Sequence, residues 1–116
     1  MGTIPGTLIT SAAEYLLDIL LVEESVLYSR FYDGTDETRE KLIKGIGITP
    51  EDADWYGVEG VMDLVAGLLE REGCVRLVPL AEELADGEPA YRIDLLEDGR
   101  KALKDGKLPR FGDVTL

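Results

Sequence analysis

The chain has 116 residues, and 24 Asp and Glu stand against 12 Lys and Arg, a net charge of −12. That length fits one domain over residues 1–116, able to bury roughly two-thirds of the surface its unfolded chain exposes. Leu, Ile, Val and Phe together make 35 residues, about 30% of the chain and well above the ~20% typical of disorder, so a folded core is expected despite the charge. A chain this acidic repels nucleic-acid backbones and anionic lipid. With no His, it lacks the usual general base and the commonest metal ligand. One Cys excludes an internal disulfide and a thiolate metal cluster. No catalytic, cofactor or metal site is expected, and the expected class is non-enzymatic.

Asn and Gln are also absent. Loss of thermolabile amides beside many carboxylates suits a thermostable protein, or one working in high salt; compositional drift in one short chain gives the same pattern. No segment reaches the ~18 apolar residues of a membrane span. The start lacks the basic region of a signal peptide, and Gly6 breaks the myristoylation pattern. A cytoplasmic protein is expected.

Residues 1–10 read as an irregular arm. Ser11-Ala12-Ala13-Glu14 is a capping box, in which hydroxyl and carboxylate satisfy orphan N–H groups reciprocally. A helix should follow to about Arg30, stopped by Asp33-Gly34. Tyr15, Leu16, Leu17, Ile19, Leu20, Leu21, Val22, Val26, Leu27 and Tyr28 make it apolar on most sides, so it is central or lies at a subunit interface. A homodimer through residues 11–30 is one expectation. Asp33-Gly34-Thr35-Asp36-Glu37 loosely resembles a calcium loop but lacks the D-x-D-x-D-G order and the distant Glu.

A second helix should span Asp36 to Lys44, with Leu42, Ile43 and Ile46 inward and Gly45 and Gly47 breaking it. Thr49-Pro50-Glu51-Asp52 is a strong helix start: an N-cap hydroxyl, Pro at the first helical position, and carboxylates matching the dipole. A third helix should run from Val58 to about Glu72, since Val58, Val61, Met62, Val65, Leu68 and Leu69 recur at helical spacing, and Gly73 caps it. Cys74–Val78 and Tyr91–Leu95 read as strands paired antiparallel around an Asp86-Gly87 turn. A last helix opens at Asp94 or Glu97 and ends at Gly106 and Pro109. Residues 107–116 read as a loose tail. Cys74 reads as a buried inert thiol, since no His can activate it.

Three helices, a hairpin and a short helix make an α+β, mostly helical order. Leu68-Leu69-Glu70-Arg71-Glu72-Gly73-Cys74-Val75-Arg76 is similar to the end of a recognition helix entering a wing strand. Tyr91-Arg92-Ile93 and Glu97-Asp98-Gly99-Arg100-Lys101-Ala102-Leu103 are similar to the strand and helix after a wing. Over 65–103 the chain thus resembles the winged helix-turn-helix superfamily, in its MarR-like and PadR-like forms. The resemblance implies a winged-helix-like domain and, for a gene regulator, a third helix in the major groove with a basic wing on phosphates.

The charge departs from that pattern. The third helix carries Glu59, Asp63 and Glu70, and its approach adds Glu51, Asp52 and Asp54; from Thr49 to Glu70 there is no base. The wing loop holds Glu82, Glu83, Asp86 and Glu88. These residues, with Trp55, form a candidate docking surface for a basic protein, as an adaptor or a mimic of nucleic-acid charge; a solvated acidic surface is the plainer alternative. Trp55 and Tyr56 would be a hot spot if exposed and a core anchor if buried, and a lone Trp is usually buried. Gly60 and Gly67 would admit a closely packed neighbour or simply tolerate exposure. Arg92, Arg100, Lys101, Lys104, Lys107 and Arg110 form an alternative nucleic-acid stripe, or they balance Asp94, Glu97, Asp98 and Asp105 among them. Two readings follow: an acidic protein-binding module acting through the third helix and wing, and a DNA-binding transcriptional regulator of the winged-helix type.

Overall fold

A computed structural model describes residues 3–83, Gly87 and 89–115. The first helix, α1 (Gly6–Glu23), starts five residues before the capping box, after the short strand β1 (Thr3–Ile4). Pro5 is its N-cap residue and offers no side-chain cap. The cap comes from the far end of the chain, where the Asp113 carboxylate accepts the Gly6 N–H at 2.7 Å. A negative group there also meets the positive end of the helix dipole. A Cβ at position 6 would collide with the Phe111 carbonyl oxygen, so glycine is what lets the two segments meet. The strand β5 (Val114–Thr115) pairs antiparallel with β1. The ends expected to be an arm and a loose tail are therefore joined to each other.

The long helix expected over 11–30 also ends early. Glu24 takes a left-handed conformation (φ 65°) and stops α1. The strand β2 (Ser25–Leu27) and one 3₁₀ turn (Tyr28–Arg30) follow. Ser25-Val26-Leu27 leaves the helix because β4 offers it a partner: Val26 pairs with Ile93 in antiparallel register. Continuous apolar periodicity hid this strand, since a short apolar run fits either structure.

The Asp33 segment is a helix entrance. Its carboxylate accepts the Thr35 N–H at 2.9 Å, the Thr35 hydroxyl at 2.6 Å and the Thr38 hydroxyl at 2.9 Å. These bonds, the Thr35 hydroxyl first, hold the Asp33 carboxyl below its usual range. Thr35 then caps α2 (Asp36–Ile46). Gly45 does not break that helix. It lies within it, where a Cβ would strike the Tyr15 ring, and Gly47 (φ 83°) makes the stop. Thr49 and Pro50 open α3 (Pro50–Tyr56), Gly57 turns the chain, and α4 (Val58–Arg71) follows, as the caps predict.

The wing strands are longer than expected: β3 (Val75–Glu83) and β4 (Pro89–Leu95) pair antiparallel, with a register shift between Pro79 and Glu83. The last helix, α5 (Glu97–Asp105), opens after Leu96, not at Asp94, which belongs to β4. The sheet order is β2-β4-β3. A helix, an edge strand, the helices α2 to α4, then a hairpin whose second strand pairs with the first strand is the winged-helix arrangement, on an α+β and mostly helical frame.

One core holds these layers together. Leu16, Leu17 and Leu20 of α1 are buried with Leu42 of α2, Val61, Met62, Val65 and Leu69 of α4, and Ile93 of β4. So α1 is central, as its apolar pattern predicts. Cys74 is buried, and burial pushes its thiol up, away from the reactive thiolate. Among the described residues no helix is long and apolar enough to cross a membrane.

Candidate interaction surface

The helix α4 divides its residues by face. Val58, Val61, Met62, Val65, Ala66 and Leu69 face the core. Gly60, half-buried Leu64, Gly67 and Arg71 form a ridge at i, i+4, i+7 and i+11 on the outside. Gly60 and Gly67 face open space, where an added Cβ would meet nothing. The ridge is thus low, with helix backbone close to its surface.

Glu59, Asp63 and Glu70 flank that ridge, and each is engaged by the chain itself. Arg39 of α2 reaches Glu59 through Nε at 2.9 Å, and its Nη2 contacts Asp54 of α3. One guanidinium therefore ties three helices together. The Tyr91 hydroxyl of β4 donates to Asp63 at 3.0 Å. The Leu77 N–H of β3 donates to Glu70 at 2.9 Å. The Tyr28 ring stacks on Tyr91 (4.5 Å between centroids, 15° between planes), and its hydroxyl donates to the Glu59 carbonyl at 3.2 Å. Burial first, then neighbouring Tyr28 and Asp63, pushes the Tyr91 phenol far above its ordinary value.

The rest of the described acidic set lies on α3 and β3. Glu51 and Asp52 are exposed on α3, and Glu82 and Glu83 are exposed at the end of β3. Asp86 and Glu88 lie outside the described residues. Trp55 is 77% exposed, against the expectation of a core anchor. Tyr56, half-buried, packs on the core instead. The short helix α3 buries Ala53 and turns the neighbouring Trp outward.

The late bases lie on β4, on α5 and on the segment after it, and two of them are paired. Arg92 lies on β4 and clasps Asp94 through two bonds, Nε at 2.7 Å and Nη2 at 3.0 Å. Arg76 of β3 approaches the same carboxylate at 3.6 Å, and the Ser25 hydroxyl donates to it at 2.7 Å. Arg92 above all, with Ser25 and Arg76, holds the Asp94 carboxyl below its usual range. Arg100 pairs with Glu24 at 2.9 Å. Lys101, Lys104, Lys107 and Arg110 are exposed along α5 and the segment after it. The charge-organising roles of Arg39, Tyr91 and Arg76 have no signal in the sequence. Their partners lie 20, 28 and 18 positions away, beyond any local pattern.

Among solved structures, the chain is similar to that of a transcriptional regulator homologue protein from Pyrococcus horikoshii OT3, with 19% identity and a TM-score of 0.49 over 80% of this chain and 69% of that one. No family model and no curated protein matches the sequence.

Proposed function

We propose that the protein is a cytoplasmic, non-enzymatic transcriptional regulator of the winged-helix type, of the MarR-like or PadR-like kind, with the outer ridge of α4 as its DNA-contacting element. One observation carries this reading over the acidic docking module. Glu59, Asp63 and Glu70 are held by Arg39, Tyr91 and the Leu77 N–H, so these carboxylates serve the frame of the fold. The ridge of Gly60, Leu64, Gly67 and Arg71 carries no acid. Its two glycines let a helix enter a groove closely.

The net charge of −12 sets the conditions. Chain and duplex repel each other beyond contact range until salt shortens the Debye length from ~10 Å at 0.1 M to ~3 Å at 1 M. Binding through α4 therefore belongs to high ionic strength, in accord with an acidic, amide-free composition. The test is anisotropy of a labelled random-sequence 20-bp duplex in about 1 M KCl. Gly67→Glu and Arg71→Glu should each weaken binding at least tenfold, while Lys107→Glu on the late segment leaves it within twofold. Equal losses from all three variants, or a loss from Lys107→Glu alone, would move the site to the late bases.

A second reading rests on Trp55, exposed beside Glu51, Asp52 and Asp54. An exposed aromatic among carboxylates suits a basic protein segment. Trp55 is the single Trp of the chain, so its emission reports directly. This reading expects a blue shift with an oligo-arginine peptide, abolished by Glu51→Lys with Asp52→Lys. Unchanged emission contradicts it.

A further inference from the structure

We propose that the cleft between the first half of α1 and the segment after α5 binds a small zwitterion, an α-amino acid with an apolar side chain. The cleft holds about 610 Å³, within the ~300–1,000 Å³ of small-molecule sites. One wall is a polar stripe of α1. Thr7, Ser11 and Glu14 share a helix face at i, i+4 and i+7, and all three line the cleft. The other wall is the chain that leaves α5 at Gly106 (φ 67°) and contributes Leu108, Arg110 and Phe111. The site does not depend on the DNA reading.

Two anchors set the register of the walls. The Asp113 carboxylate accepts the Gly6 N–H at 2.7 Å, and the Thr10 hydroxyl accepts the Phe111 N–H at 3.4 Å. The segment therefore runs antiparallel to α1. Its next residue back, Arg110, lies past Thr10 in the direction of Glu14, which is one helical turn on, ~5.4 Å along the axis. Arg110 and Glu14 are both exposed and line the same cleft. Neither has an ion-pair partner among the described residues. Leu108 and Phe111 pack on the core, so the apolar part of the wall is formed before a ligand arrives.

Charge selects the ligand class. A simple anion at Arg110 is opposed by Glu14 and Asp113, and a simple cation at Glu14 is opposed by Arg110. A ligand that carries both charges on one carbon avoids both penalties. The Arg110 guanidinium donates to its carboxylate in a fork, and the Glu14 carboxylate accepts from its ammonium. The apolar side chain then lies on Leu108 and Phe111. The charged ends fix orientation, and the apolar wall supplies the burial.

Titration of the full, isotope-labelled chain by amide NMR tests this, with L-leucine as the probe up to about 50 mM, since two exposed charges and a small apolar contact give millimolar affinity. Saturable shifts are expected at the amides of Thr10, Ser11 and Phe111. Two further probes each lack one charge. N-acetyl-L-leucine has no ammonium and L-leucinamide has no carboxylate, and each should bind at least tenfold more weakly. Arg110→Gln and Glu14→Gln, both at exposed positions, should each weaken leucine binding at least tenfold with the rest of the spectrum unchanged. Lys101→Gln on α5, outside the cleft, should leave it within twofold. Absence of saturable shifts, equal binding of the three probes, or unchanged leucine binding in either cleft variant would overturn the proposal.

Discussion

The Tyr91 hydroxyl donates to the Asp63 carboxylate at 3.0 Å, joining the second wing strand to the outer flank of α4. The bond fixes the hairpin against the helix, and the Tyr28 ring, 4.5 Å away, closes the aromatic side of the joint. The neutral phenol is the form this setting favours.

Tyr91 therefore predicts an alkaline limit. Its folded pKa is raised above the ordinary value of about 10. The stability it contributes is full below that value and declines as pH rises through it, because the unfolded chain ionises first. Urea unfolding should show ΔG falling above about pH 10. Tyr91→Phe should flatten that limb and cost about 1 kcal/mol at neutral pH through the lost hydrogen bond. A variant with an unchanged alkaline limb would contradict the assignment.

Asp94 predicts the acid side. Its folded pKa is depressed, first by Arg92, so its contribution is present above the ordinary carboxylate value of about 3.9 and is lost as pH falls below it. Asp94→Asn should reduce the slope of stability against pH below about 4. An identical slope in both proteins would remove Asp94 as a source of the acid sensitivity.

Glycine positions separate by what surrounds them. Gly60 and Gly67 face open space inside a helix. Alanine there should raise stability by roughly 0.5–1 kcal/mol each through lower chain entropy. Gly99 has the Cys74 carbonyl where a Cβ would go, and the Leu96 N–H donates to that same carbonyl at 2.9 Å. Gly99→Ala should cost about 1–3 kcal/mol by overpacking. Thermal melts of the three variants check this ordering, and destabilisation by both Gly60→Ala and Gly67→Ala would contradict the open ridge.

Arg39 joins α2, α3 and α4 through Glu59 and Asp54. Both carboxylates reach solvent, so Arg39→Ala should cost under about 1 kcal/mol in low salt and less in 1 M KCl. A larger loss that persists in high salt would show that packing of the arginine stem, not charge, joins the helices.

The elements legible in sequence are those set by neighbouring residues. Thr49-Pro50 opens α3 and Gly73 and Gly106 follow helix ends because caps act within one turn. Helical spacing in α4 likewise gave its buried face. What sequence missed depends on distant partners. Glu24 ends α1 without a glycine because Ser25–Leu27 pairs with a strand some 70 positions on, from Arg92 to Asp94. Asp113 caps α1 from across 107 positions. The acids of α4 looked like one free surface in sequence. The structure gives Glu59, Asp63 and Glu70 internal partners and turns Trp55 to solvent, and neither outcome leaves a local trace.

The central claim is that the low ridge of α4 contacts DNA once charge repulsion is screened. The most direct measurement is duplex binding by anisotropy from about 0.1 to 2 M KCl. Ordinary basic DNA-binding proteins lose affinity steeply over such a range. The account predicts the reverse for this chain: weak binding at 0.1 M that strengthens as salt rises. An affinity that falls steeply with salt, or no binding at any concentration, would contradict it.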